Sequence, residues 1–155
     1  MKTPPGPLAS IELRPAVPAD YHFARTVHHA GMRWIAERLF GWDDASQDEK
    51  FERQFALPEV RIIVVQGRDV GYLQAAEKPD ALFLKELHVA AAFQKLGIGA
   101  EVLRRLCAEA EQMRKPVTVG VVKFNPALAL YQRLGFRIVG EDAHKFYLRR
   151  DASKA

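Results

Sequence analysis

The segment Gln94-Lys95-Leu96-Gly97-Ile98-Gly99 constrains this chain of 155 residues more than any other stretch. It follows apolar residues that predict a β-strand ending at Val89, and it precedes apolar residues at helical spacing that predict a helix from Gly97 to about Arg114. The first turn of a helix carries unpaired N–H groups and the positive end of the helix dipole. Because glycine has no Cβ, an anion can approach this backbone closely. The segment therefore predicts either an anion site, most simply for a pyrophosphate, or a tight connection that binds nothing.

Two common phosphate-binding loops do not fit this segment. No Gly-Lys-Ser/Thr follows it, which excludes a Walker loop, and Val102 stands where the dinucleotide fingerprint requires its third glycine. Neither of these two loops is therefore predicted here.

Together with a second motif, the segment carries a family resemblance. It resembles the Q/R-x-x-G-x-G/A signature of the GNAT superfamily of N-acetyltransferases, and residues 125–136 (NPALALYQRLGF) resemble the N-x-x-A…Y-x-x-x-G-F segment of that family. The two motifs occur in the family's order, and the resemblance covers about residues 10–150. It implies an α/β fold with a mixed, mostly antiparallel central sheet flanked by helices. It also implies acetyl-CoA as the acetyl donor, with coenzyme A as the co-product.

The length of the chain predicts one domain, and the resemblance implies an N-acetyltransferase domain over residues 10–150, preceded by a flexible leader, 1–9, and followed by a tail, 151–155. The chain is 48% apolar but has no apolar run near 18 residues, so no membrane span is expected. A single cysteine, Cys107, excludes an internal disulfide and favours the cytoplasm. The net charge of +4 comes without dense Lys/Arg clusters, so nucleic acid is not an expected partner. A homodimer is expected only by analogy with the fold.

The apolar pattern predicts the order of the elements. A strand at 10–14 leads to a helix with apolar residues from Phe23 to Leu39, which Gly31 can break or kink. Asp44 or Ser46 is expected to cap a second helix that reaches Phe55. A hairpin of strands 60–66 and 70–76 is predicted next, around a turn at Gly67-Arg68-Asp69, and it is followed by the strand ending at Val89 and the long helix. The last predicted elements are a strand at 117–122, a short helix at 125–134 that Gly135 ends, and a final pair of strands at 136–139 and 145–148.

The resemblance also implies which residues bind acetyl-CoA. The backbone of Leu87 and Val89 would hold the pantetheine arm as an added β-strand. Asn125 would contact the same arm, or it would cap the helix that starts with Pro126, and both roles are compatible. The amides that would take the pyrophosphate are those of Gln94, Lys95, Leu96, Gly97, Ile98 and Gly99.

Catalysis would need an acid and a base. Tyr131 matches the family tyrosine near the thioester sulfur, where a phenol can protonate the departing thiolate; the alternative is a packed helical tyrosine. Some relatives carry a glutamate on the strand before the asparagine, but residues 117–122 contain no carboxylate. Glu86 and His88 remain as candidate bases because residues two apart on a strand face the same side. A salt-bridged Glu86 and a hydrogen-bonded structural His88 are the alternative.

In this fold the first two helices and their loop usually build the acceptor pocket. Trp34, Glu37, Trp42 and Asp43 are therefore predicted to bind a cationic amine, and an ordinary amphipathic helix with an acidic cap is the alternative. A metal site at His28-His29 is rejected, on the grounds that adjacent residues point apart on a helix and that no ligand cluster accompanies them.

The predicted function is transfer of an acetyl group from acetyl-CoA to an amine of an unidentified small-molecule or peptide acceptor. Cys107 is interpreted as a buried structural thiol, so direct attack of the amine is preferred to an acetyl-cysteine intermediate. The first alternative is a non-catalytic acyl-CoA-binding sensor or regulatory domain, which the missing strand glutamate favours. A nucleic-acid-associated protein is a third reading, supported only by the mild basic charge.

Overall fold

A computed structural model of the chain describes residues 10–153. The predicted leader over residues 1–9 and the last two residues of the predicted tail lie outside the described residues. Short 3₁₀ turns occur at Pro18–Asp20, Leu57–Glu59 and Ala91–Phe93. The strands and longer helices are β1 (Ile11–Pro15), α1 (Tyr21–Leu39), α2 (Asp44–Gln54), β2 (Val60–Val65), β3 (Arg68–Lys78), β4 (Ala81–Val89), α3 (Ile98–Met113), β5 (Val117–Val122), α4 (Leu128–Arg133), β6 (Arg137–Glu141) and β7 (Lys145–Arg150).

The strands form one mixed sheet in the order β1-β2-β3-β4-β5-β7-β6. The pairs β1–β2, β2–β3, β5–β7 and β6–β7 are antiparallel, whereas β4 and β5 run parallel. The parallel register covers only Leu82–Leu84 with Val117–Val119, and β4 runs on to Val89. The predicted fold class, a mostly antiparallel mixed sheet flanked by helices, is confirmed.

The described chain separates into two compact units. The first contains residues 10–74 and Glu86–Gly99, and it holds α1, α2, the first two strands and the end of β4. The second contains Ala75–Lys85 and the residues from 100 onward, and it holds most of α3, the short helix α4 and the last three strands.

A core of apolar side chains holds the first unit together. The two helices contribute one face each, and β2 contributes alternate residues, as a strand with one face on the core must. The members are Ala24 and Val27 of α1, Phe51 of α2, Val60, Ile62 and Val64 of β2, and Tyr72 of β3. The two helices α1 and α2 therefore pack on one face of β2 and β3.

In the second unit α3 buries the stripe that its spacing predicts. Val102, Leu103, Leu106 and Ala110 are each about 1% exposed. The chain end is held by Glu111 of α3, whose carboxylate accepts from the Arg150 guanidinium at 2.9 Å and from the Ser153 backbone N–H at 2.9 and 3.1 Å. The first residues of the predicted tail are therefore tied to α3.

Several local predictions need correction. Gly31 does not interrupt α1, which is continuous from Tyr21 to Leu39. The N-cap of α2 is Asp43, since its Oδ2 accepts from the Ser46 N–H at 2.9 Å, and neither Asp44 nor Ser46 has that role. The helix ends at Gln54, one residue before Phe55.

Two turns also differ from the prediction. Val65 pairs with Arg68, so the β2–β3 hairpin turns on Gln66 and Gly67, which both have positive φ (51° and 77°) as a type I′ turn requires. Arg68 and Asp69 belong to β3. The helix predicted at 125–134 begins only at Leu128, because Asn125 and Pro126 form the turn that precedes it.

Candidate active site

The centre of the candidate site is the end of β4 in the first unit. Glu86 and His88 face the same side, as their spacing predicts, and they bind each other: Glu86 Oε2 lies 2.6 Å from His88 Nε2. The other carboxylate oxygen of Glu86, Oε1, lies 3.6 Å from Nε2 of His28 on α1. The ring of His88 also meets the rings of His28 and Tyr72, with centroids 5.2 and 5.6 Å apart.

A chain of polar contacts extends from His28 to the surface. Its Nδ1 lies 3.0 Å from Nδ1 of His29, and Nε2 of His29 lies 2.7 Å from Asp48 Oδ1 on α2. The side chain of His28 is 7% exposed, that of His29 18% and that of Asp48 47%. Five side chains, two of them acidic, thus connect the partly buried end of β4 with solvent.

The electrostatics of this cluster favour an ionised Glu86. Burial acts to raise the pKa of its carboxyl group, but the hydrogen bonds and positive charge that His28 and His88 supply in their protonated forms outweigh burial and hold that pKa well below its usual range. Burial, with a smaller contribution from the Glu86 charge, raises the pKa of the Tyr72 phenol. Within the described residues the buried Tyr72 hydroxyl has no hydrogen-bond partner.

The reasons given for rejecting a metal at His28-His29 are wrong. The two imidazoles do not point apart but meet at 3.0 Å, and His28 is accompanied by Glu86 and His88, whose donor atoms all lie within 4.8 Å of one another. Sequence spacing could not reveal this cluster because His28 lies on α1 and its neighbours lie on β4.

Two glycines allow the close packing around His88. A Cβ at Gly31 would lie 2.5 Å from His88 Nδ1, so α1 can pass this ring only with a glycine there. A Cβ at Gly71 of β3 would lie 2.2 Å from the His88 carbonyl oxygen. Gly31, which reads as a helix breaker in the sequence, is in fact a point of close contact with the candidate site.

The predicted pyrophosphate loop leads from β4 into α3. Residues 94–97 are exposed, and Lys95 and Gly97 have positive φ (65° and 82°). A Cβ at Gly99 would meet no heavy atom within 4 Å, so internal packing does not require a glycine there. Gln94 Nε2 donates to the Val89 carbonyl at 2.9 Å and links the loop to the end of the strand.

The remaining predicted cofactor and acid residues lie in the second unit. Tyr131 of α4 is buried and packs edge-on against Phe136, with ring centroids 5.3 Å apart. The Asn125 Oδ1 accepts from the Ala127 N–H at 2.9 Å within the turn before α4, and the N-cap of α4 is Ala127, so Asn125 does not cap a helix that starts with Pro126. Both side chains therefore have a structural role.

The residues predicted to bind the acceptor lie on α1 and at the start of α2. Glu37 pairs with Arg33 at 3.0 Å, and the Arg33 guanidinium lies 5.5 Å from the centroid of the Trp42 ring. Trp42 also packs against His29 at 5.2 Å, while Asp43 caps α2. Trp34 is 43% exposed. Two of the groups expected to bind a cationic amine, Glu37 and Trp42, thus already contact one cation, Arg33.

A match to a family model shows to which protein family this chain is related. The family model of the acetyltransferase (GNAT) domain matches residues 58–138, more than half of the chain. The chain belongs to the GNAT acetyltransferase family. No curated protein sequence matches it significantly. The match includes β4, the loop into α3 and α4, and so contains both motifs on which the resemblance rests.

Solved structures agree on the fold of this GNAT domain. The PaiA N-acetyltransferase of Thermoplasma acidophilum, in complex with coenzyme A, has a TM-score of 0.79 at 15% identity, over 92% of this chain and 99% of its own. The ribosomal-protein-S18-alanine N-acetyltransferase of Escherichia coli has a TM-score of 0.69 at 17% identity, over 94% and 96%. Ard1 of Thermoplasma volcanium has a TM-score of 0.69 at 14% identity, over 94% and 99%.

No helix within residues 10–153 combines the length and the apolar character that crossing a membrane demands.

Proposed function

We propose that this protein transfers the acetyl group of acetyl-CoA directly to an amine of a small-molecule or peptide acceptor, in the cytoplasm. Its membership of the GNAT family carries this proposal. Acetyl-CoA would supply the activated thioester, and every other part of the mechanism would fall to side chains and backbone groups of this chain. A homodimer remains part of the proposal by analogy alone.

The loop before α3 fits the anionic end of acetyl-CoA. Residues 94–97 are exposed, Lys95 supplies a positive charge, and the first N–H groups of α3 lack partners within the helix. The open space at Gly99 leaves room for a phosphate oxygen near the backbone. We assign the pyrophosphate to the amides from Gln94 to Gly99, and the pantetheine arm to the backbone of Leu87 and Val89.

Tyr131 is our candidate for the general acid. Its phenol would give a proton to the thiolate of coenzyme A as the thioester bond breaks, which would make this thiolate a better leaving group. Asn125 would contact the pantetheine arm while it keeps its hydrogen bond to the Ala127 N–H.

Glu86 is our candidate for the base that takes the proton of the amine, with His88 holding the carboxylate in place at 2.6 Å. The Nδ1 of His88 lies against Gly31, which leaves His88 little access to an acceptor. Trp34, Glu37, Trp42 and Asp43 remain the proposed acceptor-binding residues, and a cationic amine would compete with Arg33 for Glu37 and the Trp42 ring.

Direct transfer is favoured over a covalent acetyl-cysteine. Cys107 is 5% exposed, and burial raises the pKa of its thiol, so little of the nucleophilic thiolate forms at neutral pH. One alternative function has a specific observation behind it: β5, with the sequence VTVGVV, carries no carboxylate. That absence favours a sensor domain that binds acyl-CoA without transfer.

The decisive experiment measures thiol release from acetyl-CoA with a panel of amines, for the wild type and Tyr131→Phe. Loss of a general acid costs about 10²- to 10⁴-fold in turnover, so kcat should fall by that order while the affinity for acetyl-CoA changes little. An enzyme-only blank corrects for the Cys107 thiol.

Tyr147→Phe is the matched control, because it removes an exposed phenol from β7 of the same unit. It should leave turnover unchanged. Equal turnover of Tyr131→Phe and wild type would remove the acid role of Tyr131. Saturable binding of acetyl-CoA without release for any amine or protein acceptor would favour the sensor function.

A further inference from the structure

A chain of contacts runs from Asp48 through His29 and His28 to Glu86. These contacts determine which nitrogens of the two imidazoles carry protons. At 2.7 Å from a carboxylate, Nε2 of His29 must carry a proton and donate it to Asp48. In a neutral His29 the Nδ1 is then an acceptor, so Nδ1 of His28 must be the donor across 3.0 Å. These assignments leave Nε2 of His28 with a bare lone pair.

That lone pair faces the wrong partner. It lies 3.6 Å from Oε1 of Glu86, longer than a hydrogen bond and opposite an oxygen that is itself an acceptor. One added proton corrects the mismatch. His29 would then donate from both nitrogens, and His28 would present an N–H at Nε2 to Glu86, so that every contact from Asp48 to Glu86 pairs a donor with an acceptor. Donors and acceptors therefore match along the whole chain only when the two imidazoles share one extra proton.

We propose that the His28–His29 pair, held between Glu86 and Asp48, stores the proton that Glu86 removes from the acceptor amine. The inference rests on the proposed function and adds two positioning residues to it. His28 and His29 touch neither acetyl-CoA nor the acceptor in this scheme; they act through Glu86.

The proton balance of the step is simple. An N–H bond of the acceptor amine breaks as an O–H bond of Glu86 forms. The O–H bond then breaks as an N–H bond forms at Nε2 of His28, and the positive charge settles on the pair between two carboxylates. After the acetylated product leaves, the proton returns through Glu86, whose side chain is 20% exposed, to water.

The groups around the pair favour a stored cation that can leave again. Asp48 faces it from α2, Glu86 and His88 face it from β4, and the uncharged Tyr72 lies against His88 from β3. The fixed cation Arg33 lies over the Trp42 ring, which in turn packs on His29. The two carboxylates at the ends of the pair stabilise an imidazolium between them.

The contact between Glu86 and His88 fits a shared proton better than it fits two ligands of one zinc ion. Two ligands of one zinc ion lie about 3.3 Å apart at tetrahedral angles and bond lengths near 2.0–2.1 Å. Glu86 Oε2 and His88 Nε2 are 2.6 Å apart, a distance that two atoms sharing a proton adopt.

The test is the pH dependence of acetyl transfer in Asp48→Asn. Turnover requires a neutral His28–His29 pair. It should therefore fall at acidic pH, where the pair already holds its extra proton before the amine binds. Asparagine keeps an oxygen acceptor but removes the charge that stabilises the cation. The acidic limb of the pH–rate profile should therefore move to lower pH by ~0.5–1 unit. A fully buried charge would cause a larger shift, but Asp48 is half exposed and is screened by solvent. The KM for acetyl-CoA should stay constant.

Glu49→Gln is the matched control, since it removes the same charge from the neighbouring, 68% exposed position of α2. Its acidic limb should match that of the wild type. ¹⁵N NMR of the imidazoles provides a readout that needs no turnover: the His28 and His29 signals should change together at the midpoint of the limb, and Asp48→Asn should move both.

If the wild type is active and the acidic limb of Asp48→Asn coincides with that of the wild type, the proton store is overturned and the proposed function stands. Imidazole signals that stay constant across the limb overturn it as well. A wild type that acetylates no amine contradicts the proposed function itself, and that result is seen before any variant is made.

Discussion

At the scale of single residues, Gly31 has the clearest structural role near the candidate site. It lies on the face of α1 that passes the His88 ring, and the closest approach involves Nδ1 of that ring. Protein interiors are packed too densely for a ring between a helix and a strand to move aside freely. The position of His88, and with it the hydrogen bond to Glu86, therefore depends on the absence of a side chain at position 31.

We expect Gly31→Ala to destabilise the protein, although alanine favours helix more than glycine does. The new Cβ would lie 2.5 Å from His88 Nδ1, and overpacking of this kind costs ~1–3 kcal/mol, against a helix-propensity gain of up to ~1 kcal/mol. Urea unfolding measures the difference. Gly99→Ala is the control, because its Cβ meets nothing within 4 Å and the variant should be as stable as the wild type or slightly more so. Equal stability of the two variants would contradict the proposed close contact.

At the scale of elements, the residues that sequence patterns identify best are those with a strict period. The two-residue period of β4 placed Glu86 and His88 on one face, and the helical period of α3 identified its buried stripe, including Leu103 and Leu106. The predicted ends of helices and strands agree less well with the structure. The hairpin turn was misplaced because Gln66, a non-glycine residue, takes a positive φ of 51°, and the α2 cap was misplaced because three acidic or hydroxyl residues compete within four positions.

Asp43 caps α2 and is also proposed to bind the acceptor, and a pair of substitutions can separate the observed role from the proposed one. Asp43→Ala should lower the free energy of unfolding by ~0.5–2 kcal/mol, since it removes the oxygen that accepts from the Ser46 N–H. Asp43→Asn keeps an acceptor oxygen and should leave stability within a few tenths of a kcal/mol. If the carboxylate also attracts a cationic acceptor, only kcat/KM for that acceptor should fall in Asp43→Asn. Thermal unfolding and acceptor kinetics measure the two effects, and a large stability loss in the asparagine variant would contradict the cap.

At the scale of the whole molecule, the order of elements and the class of sheet could be predicted because local periods and the two GNAT motifs agree. The cluster from Asp48 to Glu86 could not, since its members come from α1, α2 and β4 and meet only through tertiary packing. His28 and His29 were visible in the sequence, but their interaction with each other depends on ring orientations that Asp48 and Glu86 determine. The Arg33–Glu37 pair has the i,i+4 spacing that a helix brings together, but the contact of Arg33 with the Trp42 ring depends on the path of the chain after α1.

The binding of acetyl-CoA should stabilise the entire fold, and Gly99 offers a way to test this. A ligand at 100 times its Kd adds ~2.7 kcal/mol, which corresponds to a rise in Tm of about 5–10 °C for a chain of this size. Gly99→Glu places a carboxylate where the pyrophosphate is proposed to bind, so the rise should disappear. The variant should still fold, because a Cβ at this position meets no heavy atom within 4 Å.

Gly99→Ala separates size from charge in the same thermal-shift measurement. Its methyl group should reduce the rise in Tm only partly, whereas the glutamate adds both bulk and repulsion of the phosphates. The unliganded Tm of each variant shows whether it is folded. A rise in Gly99→Glu equal to that of the wild type would place the pyrophosphate elsewhere, and the assignment of the loop before α3 would then be wrong even though the chain belongs to the GNAT family.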